Sequence, residues 1–388
     1  MFPRGKALAK RIIAAGHICL DITPVFPPTV QGQTMEQLLQ PGKLLQMEAA
    51  DVHTGGSVAN TGLALKKLGN DVILLGKIGK DAFGEVVKSI VSSYGAGGLI
   101  EDKSSTTSYS VVLAVPGYDR IFLHNPGAND SFSEQDIPEE ALDDAVLFHF
   151  GYPPLMKRMY TGGGKELQRL FKRMKARGIA TSLDLAAIDP NSEAGRVDWR
   201  EILRSVLPYV DFFVPSFEEL CFMLDRDRYQ RLNTGGDMTE KLDLQAEALP
   251  LAKELIGMGC RAALLKCGTS GMLYKTAKAD AIRTIGERIS LDVMRWADRE
   301  GIQPCYQADQ VLSATGAGDT SIAAFLTAVL RGYGPAECAA LAAAEGACCV
   351  TAYDALSGLR PIEELSERIK SGWKTIEGVK APDACQYE

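Results

Sequence analysis

The chain has 388 residues, 46% hydrophobic and 23% charged, which is enough apolar material for a full globular core. Its net charge of −7 gives no electrostatic case for nucleic acid or an anionic membrane surface as partner. Nine cysteines without a CxxC pair, and four scattered histidines (His17, His53, His124, His149), argue against a disulfide framework or a zinc site, so a reducing cytoplasm is expected. No run is long enough to span a bilayer. The basic start Met1–Lys10 merges into a strand pattern that holds His17 and ends in Asp21, with no signal-peptide cleavage site.

In chain order, residues 12–20 read as one buried strand closed by Asp21. A long Pro- and Gly-rich stretch follows to about residue 44, of the kind that is functional or leaves the main domain. Gly55-Gly56-Ser57 opens a helix pattern through Ala59, Leu63 and Leu68, closed by Gly69. Residues 72–78 read as a strand and 83–94 as a helix. Residues 108–115 and 121–124, around the turn 116–120, read as an inserted β-hairpin. Strands are then predicted at 146–150, 179–185, 212–215 and 262–266, with helices at 165–177 and 244–258. This alternation predicts an α/β fold with a mostly parallel sheet covered on both faces. Such sheets bind ligands at the carboxyl ends of their strands, where Asp21, Asp184 and Pro215-Ser216 fall. The charged stretch 275–308, containing Met294 and Trp296, reads as an inserted helix or excursion. The tail beyond about Gly378 is short and polar.

The most informative segment is Ala314-Thr315-Gly316-Ala317-Gly318-Asp319-Thr320. Small residues there let backbone N–H groups converge on an anion, and the helix that follows adds the positive end of its dipole. Ile322, Phe325, Leu326, Val329 and Leu330 give that helix one buried face, and Gly332 stops it. A carboxylate inside an anion nest calls for a chemical reason. Taking a proton from a hydroxyl while the nest neutralises a transferred phosphoryl group supplies one. A glycine turn with an Asp near the helix start is the plain alternative.

The motifs recur in a fixed order. Asp21 comes first, then Gly55-Gly56-Ser57-Val58-Ala59-Asn60 and Gly76-Lys77-Ile78-Gly79-Lys80-Asp81-Ala82-Phe83-Gly84. Asn125-Pro126-Gly127-Ala128-Asn129, Pro215-Ser216-Phe217-Glu218-Glu219-Leu220, Lys266-Cys267-Gly268-Thr269-Ser270-Gly271 and Thr315–Asp319 follow. This order resembles the ribokinase-like (PfkB) family of carbohydrate and nucleoside kinases over about residues 10–365. The resemblance implies a three-layer α/β/α sandwich with a mostly parallel central sheet and a small β-sheet lid. The whole chain would be one kinase domain, with lid segments near 22–52 and 104–126. Lid closure would exclude water and limit wasteful ATP hydrolysis. The lid often makes the dimer contact in this family, so a homodimer is expected.

By the same resemblance, Asp319 is the catalytic base, and Gly316, Ala317 and Gly318 form the anion hole. Asp21 accepts substrate hydroxyls, with Gly55, Gly56 and Asn60 at its side. Asn129 either bonds substrate or holds the hairpin exit. Lys266, Gly268, Thr269, Gly271 and Thr315 fall on the nucleotide side, and 347–358 resembles the adenine-side wall. Glu219 ends the family's Asn-x-x-Glu motif and helps organise Mg²⁺, while Asp184 acts on Mg²⁺ through water or serves as scaffold. Two departures stand out. Ser216 replaces the Asn of that motif. Ser313 and Ala314 stand where the family commonly has an Asp that helps form a monovalent-cation site, which leaves K⁺ activation open.

The resulting expectation is an ATP- and Mg²⁺-dependent kinase acting on a hydroxymethyl group of a sugar or sugar-like molecule. A nucleoside kinase is the second reading, and would need an aromatic slot from among Phe26, Phe122, Phe150 and Tyr152. A catalytically silent binding protein on the same fold is the third.

Overall fold

The computed structural model describes residues 11–118 and 121–376. The basic N-terminal run, part of the 116–120 turn and the polar tail fall outside the described residues. Thirteen strands occur among the described residues. They are β1 (Arg11–Gly16), β2 (Cys19–Thr23), β3 (Asp51–Gly55), β4 (Asp71–Gly79), β5 (Ile100–Asp102), β6 (Tyr109–Leu113) and β7 (Ile121–Asn125). They continue with β8 (Ala145–Gly151), β9 (Ala180–Leu183), β10 (Phe212–Phe213), β11 (Ala262–Lys266), β12 (Met272–Thr276) and β13 (Glu300–Gln303).

Nine of them form one sheet in the order β13-β12-β11-β10-β9-β8-β1-β4-β5. Neighbours from β11 through to β5 run parallel, and β12 and β13 add an antiparallel edge. Side chains alternate across the sheet, and both faces are apolar. Ile12, Ala14, Phe212 and Leu264 enter one core, and Ile13, Ala15, Phe213 and Leu265 enter the other. Residues of helices Ser57–Lys67, Ala317–Leu330 and Pro335–Cys349 fill the first core. Residues of Lys165–Ala176, Trp199–Val206 and Leu249–Gly257 fill the second. The fold is therefore the expected three-layer α/β/α arrangement, with a small separate sheet.

That small sheet has the order β3-β2-β6-β7, with β2 and β6 parallel and the outer pairs antiparallel. The hairpin expected near 108–124 is β6–β7. The strand expected over 12–20 is two strands, and this corrects the position of Asp21. β1 stays in the large sheet, and the chain turns at His17-Ile18 into β2, so Asp21 lies mid-strand in the small sheet. The turn is pinned by the buried amide of Asn129, which accepts from Ile18 N (3.2 Å) and donates to Ile18 O (2.9 Å) and Pro126 O (3.1 Å). An uninterrupted apolar run conceals such a turn, because both halves are buried.

Asp81 ties the hairpin to the large sheet. It caps helix Ala82–Ser93 through Gly84 N (2.8 Å) and accepts from both Thr107 N and Thr107 Oγ1 (2.7 Å each), just before β6.

Two further expectations are corrected. Of the inserted helix or excursion expected over residues 275–308, the structure has no long helix. These residues complete β12, make two one-turn helices (Ala279–Ile282 and Val293–Trp296), and return as edge strand β13. Trp296, 2% exposed, anchors this segment and donates from Nε1 to Tyr333 O (3.1 Å). Helix Ala317–Leu330 is buried from Asp319 to Leu330, not on one face only, because helices Ser57–Lys67 and Pro335–Cys349 both pack against it.

Candidate active site

Helix Ala317–Leu330 starts from Gly316, whose φ of 76° is left-handed. A Cβ there would lie 2.2 Å from Ala355 Cβ, so only glycine fits this helix start. The first-turn N–H groups have no intrahelical acceptor and form the positive end of the helix. Before it, Ser313 Oγ donates to Thr315 Oγ1 (2.9 Å) and accepts from Thr315 N (3.1 Å), a hydroxyl-built turn where the family pattern has Asp.

Asp319 sits in this first turn and is 5% exposed. Its Oδ2 accepts from Tyr152 OH (2.7 Å) and Asn60 Nδ2 (3.0 Å), and its Oδ1 accepts from Thr61 Oγ1 (3.0 Å). Asn60, expected to face substrate, is thus engaged with Asp319. Thr61 and Tyr152 were not singled out as partners of Asp319. Tyr152 follows Gly151 at the carboxyl end of β8, and that position was the available signal.

Beside the same turn, Lys266 Nζ donates to Asp184 Oδ1 (2.8 Å). A Cβ on Gly318 would be 3.6 Å from that ammonium, so Lys266 lies next to the helix start. Burial opposes the charge on Lys266, but Asp184, Glu219 and Asp319 outweigh it and raise its pKa. Burial raises that of Asp184, with Lys266 opposing and the carboxylates of Glu219 and Asp319 adding to the rise. Asp184 therefore has an ion-pair partner inside the protein.

Ser216 and Glu219 form a capping box on helix Phe217–Leu224. Glu219 N donates to Ser216 Oγ (3.2 Å), and Ser216 N donates to Glu219 Oε2 (2.8 Å). Ser thus holds Glu219 by the local bonds a cap requires, despite the departure from Asn. Ser216 also bridges to Lys266 across the strand ends. Gly268 and Thr269 lie exposed in the turn Gly268–Ser270, and Gly271 closes it onto β12.

On the small-sheet side, Asp21 accepts from Cys19 Sγ (3.2 Å) and packs on Gly55. A Cβ on Gly55 would fall 2.0 Å from Asp21 Oδ2, so this glycine is what gives the carboxylate its place. Burial raises the pKa of Asp21. His124 on β7 contacts Ser110 Oγ through Nδ1 (3.0 Å) and His17 Nε2 through Nε2 (3.4 Å). Burial pushes the His17 imidazole down to about 3, so it is neutral. One segment joins the two halves of the site: Gly55 and Gly56 touch Asp21 and His17, while Asn60 and Thr61 hold Asp319.

Of the four aromatics considered for a base slot, Phe150 is fully buried among Phe132, Phe148 and Phe171. Phe26 packs with Val30, Leu38 and Val115, and Tyr152 is bonded to Asp319. Phe122 is 58% exposed on β7. Among the described residues, no group of three or more His, Cys, Asp or Glu is placed to hold a metal ion by itself, and no helix is long and apolar enough to cross a membrane.

Comparison with known proteins gives the family and the fold. The model of the "pfkB family carbohydrate kinase" matches residues 30–361. Fructokinase-1 of Oryza sativa subsp. japonica is 24% identical over 328 residues, covering 82% of this chain and 83% of that one. The probable fructokinase-5 of Arabidopsis thaliana is 25% identical, with 82% and 88% covered. Among solved structures, the ATP-bound fructokinase of Xylella fastidiosa superposes with a TM-score of 0.68 at 20% identity, covering 94% of this chain and 99% of that one. The ribokinase of Arabidopsis thaliana complexed with ribose and ATP gives 0.66 at 18%, with 93% and 99% covered. The nucleoside kinase of Methanocaldococcus jannaschii gives 0.62 at 18%, with 93% and 98% covered. The chain belongs to the pfkB family of carbohydrate kinases.

Proposed function

We propose that the protein transfers the γ-phosphoryl group of ATP to a hydroxymethyl oxygen of a sugar or sugar-like substrate, with Asp319 as base. The observation that carries this reading is the position of Asp319. It is a buried carboxylate in the first turn of a helix whose leading N–H groups have no intrahelical acceptor, with Lys266 beside that turn. The substrate proton passes to Asp319 as the hydroxyl oxygen attacks phosphorus. The bond to the bridging oxygen breaks, and ADP leaves with the electron pair. The nest at Gly316–Gly318 and the Lys266 ammonium offset charge on the moving group.

The donor set suits Mg²⁺, which keeps several waters and is bound by phosphates with one or two carboxylates rather than by a protein cage. Glu219, and Asp184 beyond Lys266, would hold it by way of water. Bound Mg²⁺ would neutralise phosphate charge. Nucleotide phosphates would lie along Thr315, Lys266 and the Gly268–Gly271 turn, with 347–358 beside the adenine. The hydroxyl turn at Ser313–Thr315 carries no carboxylate for a monovalent cation, which favours activity without K⁺.

Asp21 would bind substrate hydroxyls, with Gly55 and Gly56 positioning it, while Asn129 and Asn60 act on the turn at Ile18 and on the base. The polar surroundings of Asp21, with Cys19, Ser110 and His124, favour a sugar. Three of the four aromatics that would build a nucleoside slot are engaged elsewhere. We read the chain as one kinase unit with the segments near 22–52 and 104–126 as lid. The exposed row Ile121, Phe122 and Leu123 on edge strand β7 favours a homodimer through it. The chemistry suits a cytoplasmic enzyme supplied with ATP.

The test is ADP release with Mg²⁺ and ATP across ketoses, aldoses, sugar acids, polyols and nucleosides, beside Asp319→Asn. Fructose and ribose enter first because relatives bear those names. Turnover with a sugar, lost in the variant by a factor of about 10³ or more, is expected. Undiminished turnover in Asp319→Asn overturns the base, and turnover restricted to nucleosides overturns the substrate class.

A further inference from the structure

Asp319 Oδ2 is already doubly bonded, to Tyr152 OH at 2.7 Å and to Asn60 Nδ2 at 3.0 Å. A carboxylate oxygen has about two acceptor positions, so this oxygen has none left for another hydroxyl. Tyr152 and Thr61 present the same chemical group that a substrate would present, an O–H donated to Asp319. Thr61 is fully buried inside helix Ser57–Lys67 and belongs to the frame. Tyr152 lies outside any long element, half-buried, at the exit of β8.

Its backbone is unusual. Tyr152 has φ 67° and ψ 41°, the left-handed region, and is followed by Pro153 and Pro154. A residue with a Cβ pays roughly 1–2 kcal/mol for that conformation. Leu155 N bonds back to Tyr152 O (3.0 Å), so a tight turn retains the strained backbone and delivers the ring toward Asp319. Burial, followed by the nearby Asp319, raises the pKa of the phenol, so it remains an O–H donor.

We propose that Tyr152 is a positioning residue whose hydroxyl covers Asp319 in the absence of sugar and is displaced by the substrate hydroxyl. The proposal rests on Asp319 being the base. While covered, Oδ2 takes no proton from a water beside ATP, and Oδ1 holds the frame through Thr61. An uncovered base would let water attack phosphorus, its proton passing to Asp319 and ADP leaving with the bridging oxygen. Covering therefore suppresses ATP hydrolysis until the sugar arrives, at the cost of one hydrogen bond broken on sugar binding. The side chain is only half-buried, while its neighbours Gly151, Pro153 and Pro154 are buried.

The experiment is Tyr152→Phe in the full chain, assayed for ADP release with and without the best sugar of the panel, beside wild type and Asp319→Asn. Sugar-free ATP hydrolysis is expected to rise by about fivefold or more, the order of one lost hydrogen bond, with sugar kcat kept within about threefold and sugar KM lowered. Unchanged or reduced sugar-free hydrolysis overturns the proposal, as does a fall in kcat with KM unchanged. Full activity in Asp319→Asn would instead remove the base assignment, which separates the two failures. If Tyr152→Phe does not fold, 3-fluorotyrosine placed at position 152 keeps the hydroxyl, and its fluorine resonance is read during sugar titration. A saturable shift supports displacement, and an unmoved resonance overturns it.

Discussion

Lys266 Nζ donates to Asp184 Oδ1 at 2.8 Å, and both side chains are largely buried beside the first turn of the helix that carries Asp319. Glu219 and Asp319 act on the same ammonium, so one lysine faces several carboxylates. Removing one member of a buried pair leaves an uncompensated charge and costs about 3–5 kcal/mol, whereas replacing both costs far less. Lys266→Met is therefore expected to lower stability by about that amount and kcat by about 10². Adding Asp184→Asn should restore most of the stability and little of the activity. Denaturant unfolding with a steady-state assay checks both, and a Lys266→Met protein as stable as wild type would remove the pair from its structural role.

Gly55 and Asp21 form a second dependent pair. Because a Cβ on Gly55 would sit 2.0 Å from Asp21 Oδ2, Gly55→Ala must move the carboxylate. Asp21→Ala and Gly55→Ala are each expected to raise sugar KM by about tenfold or more, with ATP KM little changed. The double variant should be scarcely worse than either one, since both remove the same contact. Additive losses would show that Gly55 acts independently of Asp21.

Glu345 predicts how stability depends on pH. It is fully buried, accepts Arg360 N through Oε1 (3.0 Å), and its Oε2 has no hydrogen-bond partner. Burial pushes its carboxyl up to about 8 from an ordinary value of 4.5. Between those values the unfolded chain has lost the proton that the folded chain keeps, so stability falls as pH rises through that window. Below it both states are protonated, and above it both are ionised. The loss amounts to a few kcal/mol, at about 1.4 kcal/mol per unit. Glu345→Gln is expected to flatten the profile and to stabilise the protein at pH 8, as read by denaturant midpoints from pH 5 to 9. Parallel profiles for variant and wild type would exclude Glu345 as the titrating group.

Local pattern alone was enough for the sequence to specify the alternating strands and helices, the inserted hairpin and the helix start at Gly316. These follow from periodicity, glycine conformation and helix polarity, which act over a few residues. The ordered motifs likewise sufficed for the family. Partnership had to wait for the tertiary structure. Asn60 binds Asp319 across 259 positions of sequence, Asn129 spends its amide on the Ile18 turn, and Asp184 is matched by Lys266. The break between β1 and β2, which moves Asp21 into the small sheet, is hidden in a run that is apolar throughout. Tyr152 looked like a candidate base-stacking ring until the fold turned its hydroxyl onto Asp319. A side chain's type and local spacing bound what it can do. Which lone pair it meets is fixed by packing between elements distant in sequence, and no local pattern encodes that.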